Sequence, residues 1–251
     1  MENKKILYYE QLDSTNTKLI ELAKEAAEHG TVVVADKQTA GKGRRGRNWE
    51  SPEGENLYMS LLLRPDILPE KAPMLTLVMA YSVAKVVRDL GFSDVKIKWP
   101  NDLVLSGKKI CGILTEMQLR GQHIDSVIIG VGVNINTTSF SEEIKDKATS
   151  LFLESGEKYN REQLIEAILE NFAQDYDRFV EIQNLSFLQE EYNGMLINCG
   201  REVIIQEPEK KYTAWACGIN KNGELLVETE DGRKEAIYAG EVSVRGLYGY
   251  V

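Results

Sequence analysis

Apolar positions along this 251-residue chain recur with two periods, and the switches between them lay out its elements. Residues 6–9 form a short apolar run of strand length. Asp13, Ser14, Thr15 and Asn16 follow, all types that favour helix N-caps. Leu19, Leu22, Ala23 and Ala26 then recur at helical spacing up to His29-Gly30. That pattern predicts a helix whose C-terminal dipole meets His29 as a cation. Residues 31–35 are β-branched and read as a strand, and residues 57–63 as another. The stretch between them has no period and is longer than ordinary connections, which points to a loop with a task.

The helical period returns at 74–90, with Leu75, Val78, Met79, Ser82, Val83 and Val86 on one face. Residues 94–99 alternate, Pro100-Asn101-Asp102 interrupts, and 103–105 resume. Ser106-Gly107-Lys108 signals a hairpin, and 109–119 and 123–136 read as longer strands joined at Arg120-Gly121. Asn160 with Gln163 predicts the start of a long helix carrying Leu164, Ile168, Phe172 and Tyr176 on its apolar side. A shorter helix is predicted over 186–192. Beyond Asn198 the texture changes to short β-type runs at 202–206, 212–219, 225–229, 234–238 and 241–244, with turn sequences at Asn220-Lys221-Asn222-Gly223 and Asp231-Gly232. The expectation is an α+β domain, residues 1–197, on a mixed, largely antiparallel sheet with helices packed on it, followed by a small β-barrel, residues 198–251.

Charge gives the aperiodic stretch a meaning. The chain has 30 Lys+Arg against 39 Asp+Glu, a net charge of −9. Yet residues 37–48 hold Lys37, Lys42, Arg44, Arg45 and Arg47, with Gly41, Gly43 and Gly46 and no carboxylate. Glycine lets a backbone approach a ligand, successive N–H groups cradle anions, and arginine offers a fork to phosphate or carboxylate. Two readings stand: a loop that wraps a phosphorylated or carboxylated small molecule, and a basic surface loop. The acidic balance argues against constitutive binding to duplex nucleic acid. No apolar run reaches membrane-spanning length and the N-terminus leads straight into a strand-like run, so a cytoplasmic protein is expected. Three spaced cysteines (Cys111, Cys199, Cys217) and two histidines (His29, His123) offer no disulfide framework and no paired metal-ligand spacing.

Three further clusters can carry chemistry. Ser14, Thr15 and Asn16 with Gln38 supply uncharged donors and acceptors suited to a polar ring such as a ureide, although the triplet also serves as a helix cap. Lys98-Trp99-Pro100-Asn101-Asp102 ends a strand in polar side chains; Asp102 suits an amine or Mg²⁺ with phosphate, and the tripeptide is equally good turn chemistry. Lys109 precedes an apolar strand and either reaches solvent or points at an anion. Gly130 and Gly132, at alternate strand positions, open space on one strand face. Gly130-Val131-Gly132 lacks the third glycine of a dinucleotide fingerprint, and Lys42-Gly43-Arg44 is no Walker loop.

In order and spacing, Asp13-Ser14-Thr15-Asn16, residues 38–47, Lys98-Trp99-Pro100-Asn101-Asp102, residues 109–114 and residues 130–136 resemble the biotin–protein ligases. The likeness covers nearly the whole chain, because the segment ending near Gly240-Glu241-Val242-Ser243-Val244-Arg245 resembles that family's SH3-like domain. The resemblance implies a class II synthetase-like catalytic fold and two half-reactions: biotin and MgATP give biotinyl-5′-AMP and pyrophosphate, and a carrier lysine then takes the biotinyl group. It implies that Ser14, Thr15, Asn16, Gln38, Gly41, Gly112, Gly130 and Gly132 hold biotin, with Arg44 and Lys109. Lys42, Arg44, Arg45, Arg47, Asn101, Asn134, Glu241 and Arg245 would meet the nucleotide. Lys109 would bridge the biotin carboxylate and the α-phosphate, Asp102 would orient the incoming lysine, and the loop would order over the anhydride. Mg²⁺ would come with ATP, without protein ligands.

The resemblance also implies a biotin carboxyl carrier protein, that of acetyl-CoA carboxylase or a related carboxylase, as partner, and a monomer or homodimer. Lys42 departs from the arginine associated with that position; a point charge cannot make a bidentate contact. Some relatives carry an N-terminal helix-turn-helix domain. Here the first strand begins within a few residues of Met1, so the expectation is no DNA binding. A lipoate or octanoate ligase or transferase of the same superfamily and a non-catalytic ligand- or RNA-binding module remain the alternatives.

Overall fold

The computed structural model describes residues 4–206, 210–239 and 243–246. Seven strands build the first sheet: β1 (Lys5–Leu12), β2 (Thr31–Gln38), β3 (Leu57–Leu63), β4 (Lys96–Lys98), β5 (Asp102–Leu105), β6 (Lys108–Arg120) and β7 (His123–Val133). Their order is β1-β2-β3-β7-β6-β5-β4, with β1 and β2 parallel and every other pair antiparallel. The mixed, largely antiparallel sheet is therefore as expected. The α-helices among the described residues are α1 (Thr15–Lys24), α2 (Met74–Asp89), α3 (Leu151–Ser155), α4 (Arg161–Ile182) and α5 (Gln189–Met195).

Alternation along the strands sends side chains to two cores. Val32, Val34, Met59, Leu61, Ile129 and Val131 join the main core with α2 and α4, while Val33, Leu62 and Ile128 pack against Leu19 and Ala23 of α1 on the opposite face. α2 is buried nearly all round, from Met74 to Val87, because it lies between the sheet and α4. The single apolar face expected from its sequence describes only part of that environment. Asn160 Oδ1 accepts from Gln163 N at 3.0 Å and starts α4 as its sequence predicts.

β8 (Arg201–Gln206), β9 (Lys211–Ile219), β10 (Leu225–Thr229), β11 (Lys234–Ile237) and β12 (Ser243–Gly246) form a second, antiparallel sheet in the order β11-β10-β9-β8-β12. This is the small C-terminal β unit. Its Val203, Ile205, Ala214, Leu225 and Val227 are continuous with the main core. The two sheets also meet through Trp99, fully buried, whose Nε1 donates to Gly223 O at 3.0 Å.

Two expectations fail locally. α1 stops at Lys24, and Ala26 turns to φ 65°, so His29 is not at a helix end. His29 Nδ1 instead accepts from Arg64 N at 3.1 Å, and burial holds the imidazole below its ordinary pKa. The residue is an uncharged acceptor and not a dipole-capping cation. α3 was not predicted.

Candidate active site

Strand parity explains the floor of the site. Cys111 and Ile113 enter the main core, so Gly112 and Leu114 face the α1 side; by the same rule Gly130, Gly132, Tyr58 and Ser60 face that side from β7 and β3. Register lines these positions up. Lys98, Asp102, Gly112, Gly132 and Tyr58 are successive partners across five strands. Leu114, Gly130 and Ser60 form the next row. Three glycines thus leave a trough in a sheet otherwise covered by α1, and the N-terminus of α1 closes one end of it.

That end is polar and uncharged. Ser14, Thr15 and Asn16 are buried. Thr15 N donates to Gln38 Oε1 at 2.9 Å, and Gln38 Nε2 donates to Ser51 Oγ at 3.0 Å. Ser14 holds the N-cap position of α1 without a side-chain cap bond, so capping does not account for its hydroxyl. Ser60 Oγ lies 2.8 Å from Thr15 Oγ1 and 2.5 Å from Asn16 Oδ1.

The other end is cationic. Lys109 Nζ pairs with Asp102 Oδ1 at 2.6 Å. Asn101 Nδ2 donates to the same Asp102 oxygen at 3.0 Å, and Asn101 Oδ1 accepts from Arg44 Nη1 at 2.9 Å. Arg44 Nη2 donates to Ala239 O at 2.8 Å, which ties the basic loop to the C-terminal unit. Burial lowers the Arg44 pKa, with Arg45 and Arg47 adding to the effect and Asp102 opposing it. Lys98, 6% exposed, is brought down to about 8 by burial, reinforced by Lys109, Arg245 and Arg47 against Asp102. An array of like charges around one carboxylate favours an anionic ligand.

The basic loop is folded back on itself. Lys42 and Asn48 form an antiparallel bridge, Gly43 N donates to Arg47 O at 2.7 Å, and Trp49 N donates to Gly41 O at 2.9 Å. A Cβ on Gly41 would lie 2.4 Å from Trp49 O, which is why glycine is required there. The fold delivers the Trp49 ring onto the glycine floor. A Cβ at Gly132 would be 2.6 Å from Trp49 Nε1, and one at Gly112 would be 2.9 Å from Cζ3. Lys109 Nζ sits 5.1 Å from the ring centroid. Trp49 Nε1 is buried with no hydrogen-bond partner among the described residues. With the indole in place the cleft retains only about 50 Å³.

Of the residues expected at the site, Ser14, Thr15, Asn16, Gln38, Lys42, Arg44, Asn101, Lys109, Gly112, Gly130 and Gly132 line this one cleft. Asp102 reaches it through Lys109. Gly41 shapes the loop from beneath. Arg45 lines an adjoining cavity of about 660 Å³ beside the start of α2, which shares Arg44, Asn101, Ile113 and Leu114 with the cleft and is also bounded by Thr76 and Tyr238. Arg47 and Arg245 contribute charge near Lys98, with Arg245 exposed on β12. Asn134 is turned inward: its Nδ2 donates to Thr149 O at 3.1 Å. Glu241 lies outside the described residues. Sequence reasoning assigns no role to Trp49, Ser60 or Glu116, and it names Lys98 within a candidate cluster without giving it a part. The signals were a large aromatic in an aperiodic stretch and, for Lys98, its place beside Trp99-Pro100; Ser60 and Glu116 have none without the register.

Residues 8–134 match the Biotin/lipoate A/B protein ligase family, and residues 199–245 match the Biotin protein ligase C terminal domain. The chain is 40% identical over 243 residues to the Bifunctional ligase/repressor BirA of Bacillus subtilis, covering 95% of this chain and 74% of that one. It is 29% identical over 242 residues to the Biotin--[acetyl-CoA-carboxylase] ligase of Paracoccus denitrificans, covering 93% of this chain and 98% of that one. The solved biotin protein ligase from Aquifex aeolicus in complex with biotin and ATP superposes with a TM-score of 0.85 at 31% identity, over 97% of this chain and all of that one.

Proposed function

The chain belongs to the biotin/lipoate A/B protein ligase family, and on that premise we propose that it is an ATP-dependent biotin–protein ligase with its site in the Gly112–Gly130–Gly132 trough. One observation carries the reading: a single cleft has an uncharged polar end, Ser14, Thr15, Asn16 and Gln38, and a cationic end, Arg44 and Lys109. Biotin has the matching polarity, with a neutral ureido ring at one end and a carboxylate at the other.

In the first half-reaction a carboxylate oxygen of biotin attacks the α-phosphorus of ATP. The bond from that phosphorus to the bridging oxygen breaks, and pyrophosphate leaves with the electron pair. Lys109 and Arg44 stabilise charge on the carboxylate and the α-phosphoryl oxygens, with Lys42, Arg47 and Lys98 further along the phosphate path. In the second, the neutral amine of a carrier lysine attacks the acyl carbon, the bond from that carbon to the phosphate oxygen breaks, AMP departs with the electron pair, and the proton of the new amide nitrogen passes to solvent. Asp102, held by Asn101 and Lys109, orients that amine. Biotin and ATP are the small-molecule substrates. The cationic end does not fit a resident divalent ion, because its carboxylate, Asp102, is already paired with lysine. Magnesium enters this reading only as the companion of ATP.

We assign residues 1–197 to the catalytic unit and 198–251 to the C-terminal β unit, the latter holding Arg44 through Ala239. The relative in Paracoccus denitrificans names acetyl-CoA carboxylase, and we propose the biotin carboxyl carrier protein of that or a related carboxylase as partner here. A cytoplasmic monomer or homodimer without operator binding completes the proposal; no described helix is long and apolar enough to cross a membrane, and the net charge of −9 disfavours a duplex partner. The deciding test is exchange of labelled pyrophosphate into ATP with biotin, lipoate and octanoate in parallel. Exchange with biotin alone is expected. Exchange with lipoate would move the chain to the sister activity, and its absence with every acid would leave a binding module.

A further inference from the structure

At the uncharged end of the cleft one amide is aimed from outside the cleft. Asn16 Nδ2 donates to Glu116 Oε2 at 2.7 Å and to Leu114 O at 3.3 Å, while Asn16 Oδ1 lies 2.5 Å from Ser60 Oγ. Turning the amide over would set its oxygen against a carboxylate and a carbonyl, both acceptors, so the orientation is fixed. Asn16 is 3% exposed and Ser60 fully buried, which leaves little room for water to blur that choice. Both Nδ2 protons are then used. Oδ1 has two lone pairs, one of which takes the Ser60 proton. The oxygen itself lies at the floor of the cleft, where a Cβ on Gly130 would be only 2.2 Å away.

Glu116 is the half-buried member of this group. Its register partner is Ile128, at the margin of the α1 core, and among the described residues no ion pair reaches its carboxylate. Among the described residues the bond from Asn16 Nδ2 is the one side-chain hydrogen bond that the Glu116 carboxylate accepts.

We infer that Glu116 is a positioning residue for ring recognition, which through Asn16 holds a fixed acceptor toward the cleft so that the ring is selected by a ureido N–H. The inference rests on the biotin reading above. It also supplies a physical basis for rejecting a dithiolane, which has no N–H to offer and would leave the Asn16 oxygen partly unpaired. Sites built around a hydrogen bond discriminate against analogues lacking it far more strongly than apolar pockets discriminate by size.

The experiment is initial-rate pyrophosphate exchange with biotin and with two analogues in which each ureido N–H in turn is replaced by oxygen. In the wild type, one analogue is expected to lose about 30-fold or more in kcat/KM, the scale of one lost charge-backed hydrogen bond. In Glu116→Ala the KM for biotin rises by about tenfold or more, whereas KM for ATP and kcat at saturating biotin stay within about twofold. The penalty of the sensitive analogue falls below about threefold in that variant, since the two changes remove one interaction. Glu116→Gln keeps an acceptor oxygen for Asn16 Nδ2 and is expected within about threefold of wild type. An unchanged biotin KM in Glu116→Ala overturns the inference. So does a loss that strikes biotin and analogue equally, or a wild type indifferent to both analogues. Should Glu116→Ala not fold, Glu116→Asp, one methylene short of Asn16, takes its place. A wild type that exchanges with lipoate or not at all removes the biotin reading first, which separates the two failures.

Discussion

Trp49 is the residue on which the state of the cleft turns. Its ring covers Gly112 and Gly132, and its buried Nε1 has no described partner. Small-molecule sites commonly enclose about 300–1,000 Å³, far above the roughly 50 Å³ left here. A bicyclic acid therefore reaches the glycine floor only if the indole moves off it. Of the other tryptophans, Trp99 is core and Trp215 is half exposed on β9. Titration with biotin should change the intrinsic fluorescence, and Trp49→Phe should abolish most of that change; an unaltered signal change in the variant would place the movement elsewhere. Lys109→Ala should lower pyrophosphate exchange by about three orders of magnitude or more with little change in melting temperature, because the side chain acts on developing charge and is only half-buried. The same scale shows what a sequence discloses about a site. Ser14, Thr15, Asn16, Gln38, Arg44 and Lys109 were readable because each stands out in its local context: polar residues at a helix start, cations in an acidic chain, a lysine at a strand entrance. Ser60 and Glu116 look like ordinary polar residues on a strand, and only the register that sets Ser60 against Gly130 gives them a role.

At the level of elements, the site depends on the sheet being in one register. A slip of one residue in β6 or β7 would send Gly112 and Gly132 into the main core and Ile113 or Val131 into the trough. The long strands and hairpin turns that fix this register were legible from alternation and from Ser106-Gly107, which adopt φ values of 50° and 76°. Helix ends were less legible. α1 breaks early where Arg64 binds its end, Nη2 donating to Ala23 O at 2.9 Å and Nε to Ala27 O at 3.3 Å, a tertiary demand invisible to periodicity. α3, at five residues, is too short to show a helical period. α4 gives a test of an element apart from the chemistry. Asn160→Ala removes the acceptor for Gln163 N and should destabilise the protein by about 1 kcal/mol, read by denaturant melts, with the biotin KM unchanged. A shift in that KM would mean that α4 is coupled to the cleft.

Across the whole molecule, parts distant in sequence converge on Lys98. Asp102 faces it across the β4–β5 pair, Lys109 comes from β6, Arg47 from the basic loop, and Arg245 from the second sheet. Its pKa is brought down from 10.5 to about 8 chiefly by burial, with Lys109, Arg245 and Arg47 adding to the effect and Asp102 opposing it. The consequence for stability has a definite sign. Between about pH 8 and pH 10.5 the unfolded chain keeps the Lys98 proton and the folded chain releases it, so the unfolded state binds more protons and unfolding free energy from this group rises with pH. Below about pH 8 both states are protonated and the contribution is flat, at its least favourable level. The fall from 10.5 to about 8 corresponds to a full span on the order of 3.5 kcal/mol. Other lysines and tyrosines titrate in the same window, which makes the difference between wild type and Lys98→Met the informative quantity. That difference curve should climb toward the wild type from about pH 8 to pH 10.5. A flat difference would mean that Lys98 is solvated in the folded chain as it is in the unfolded one.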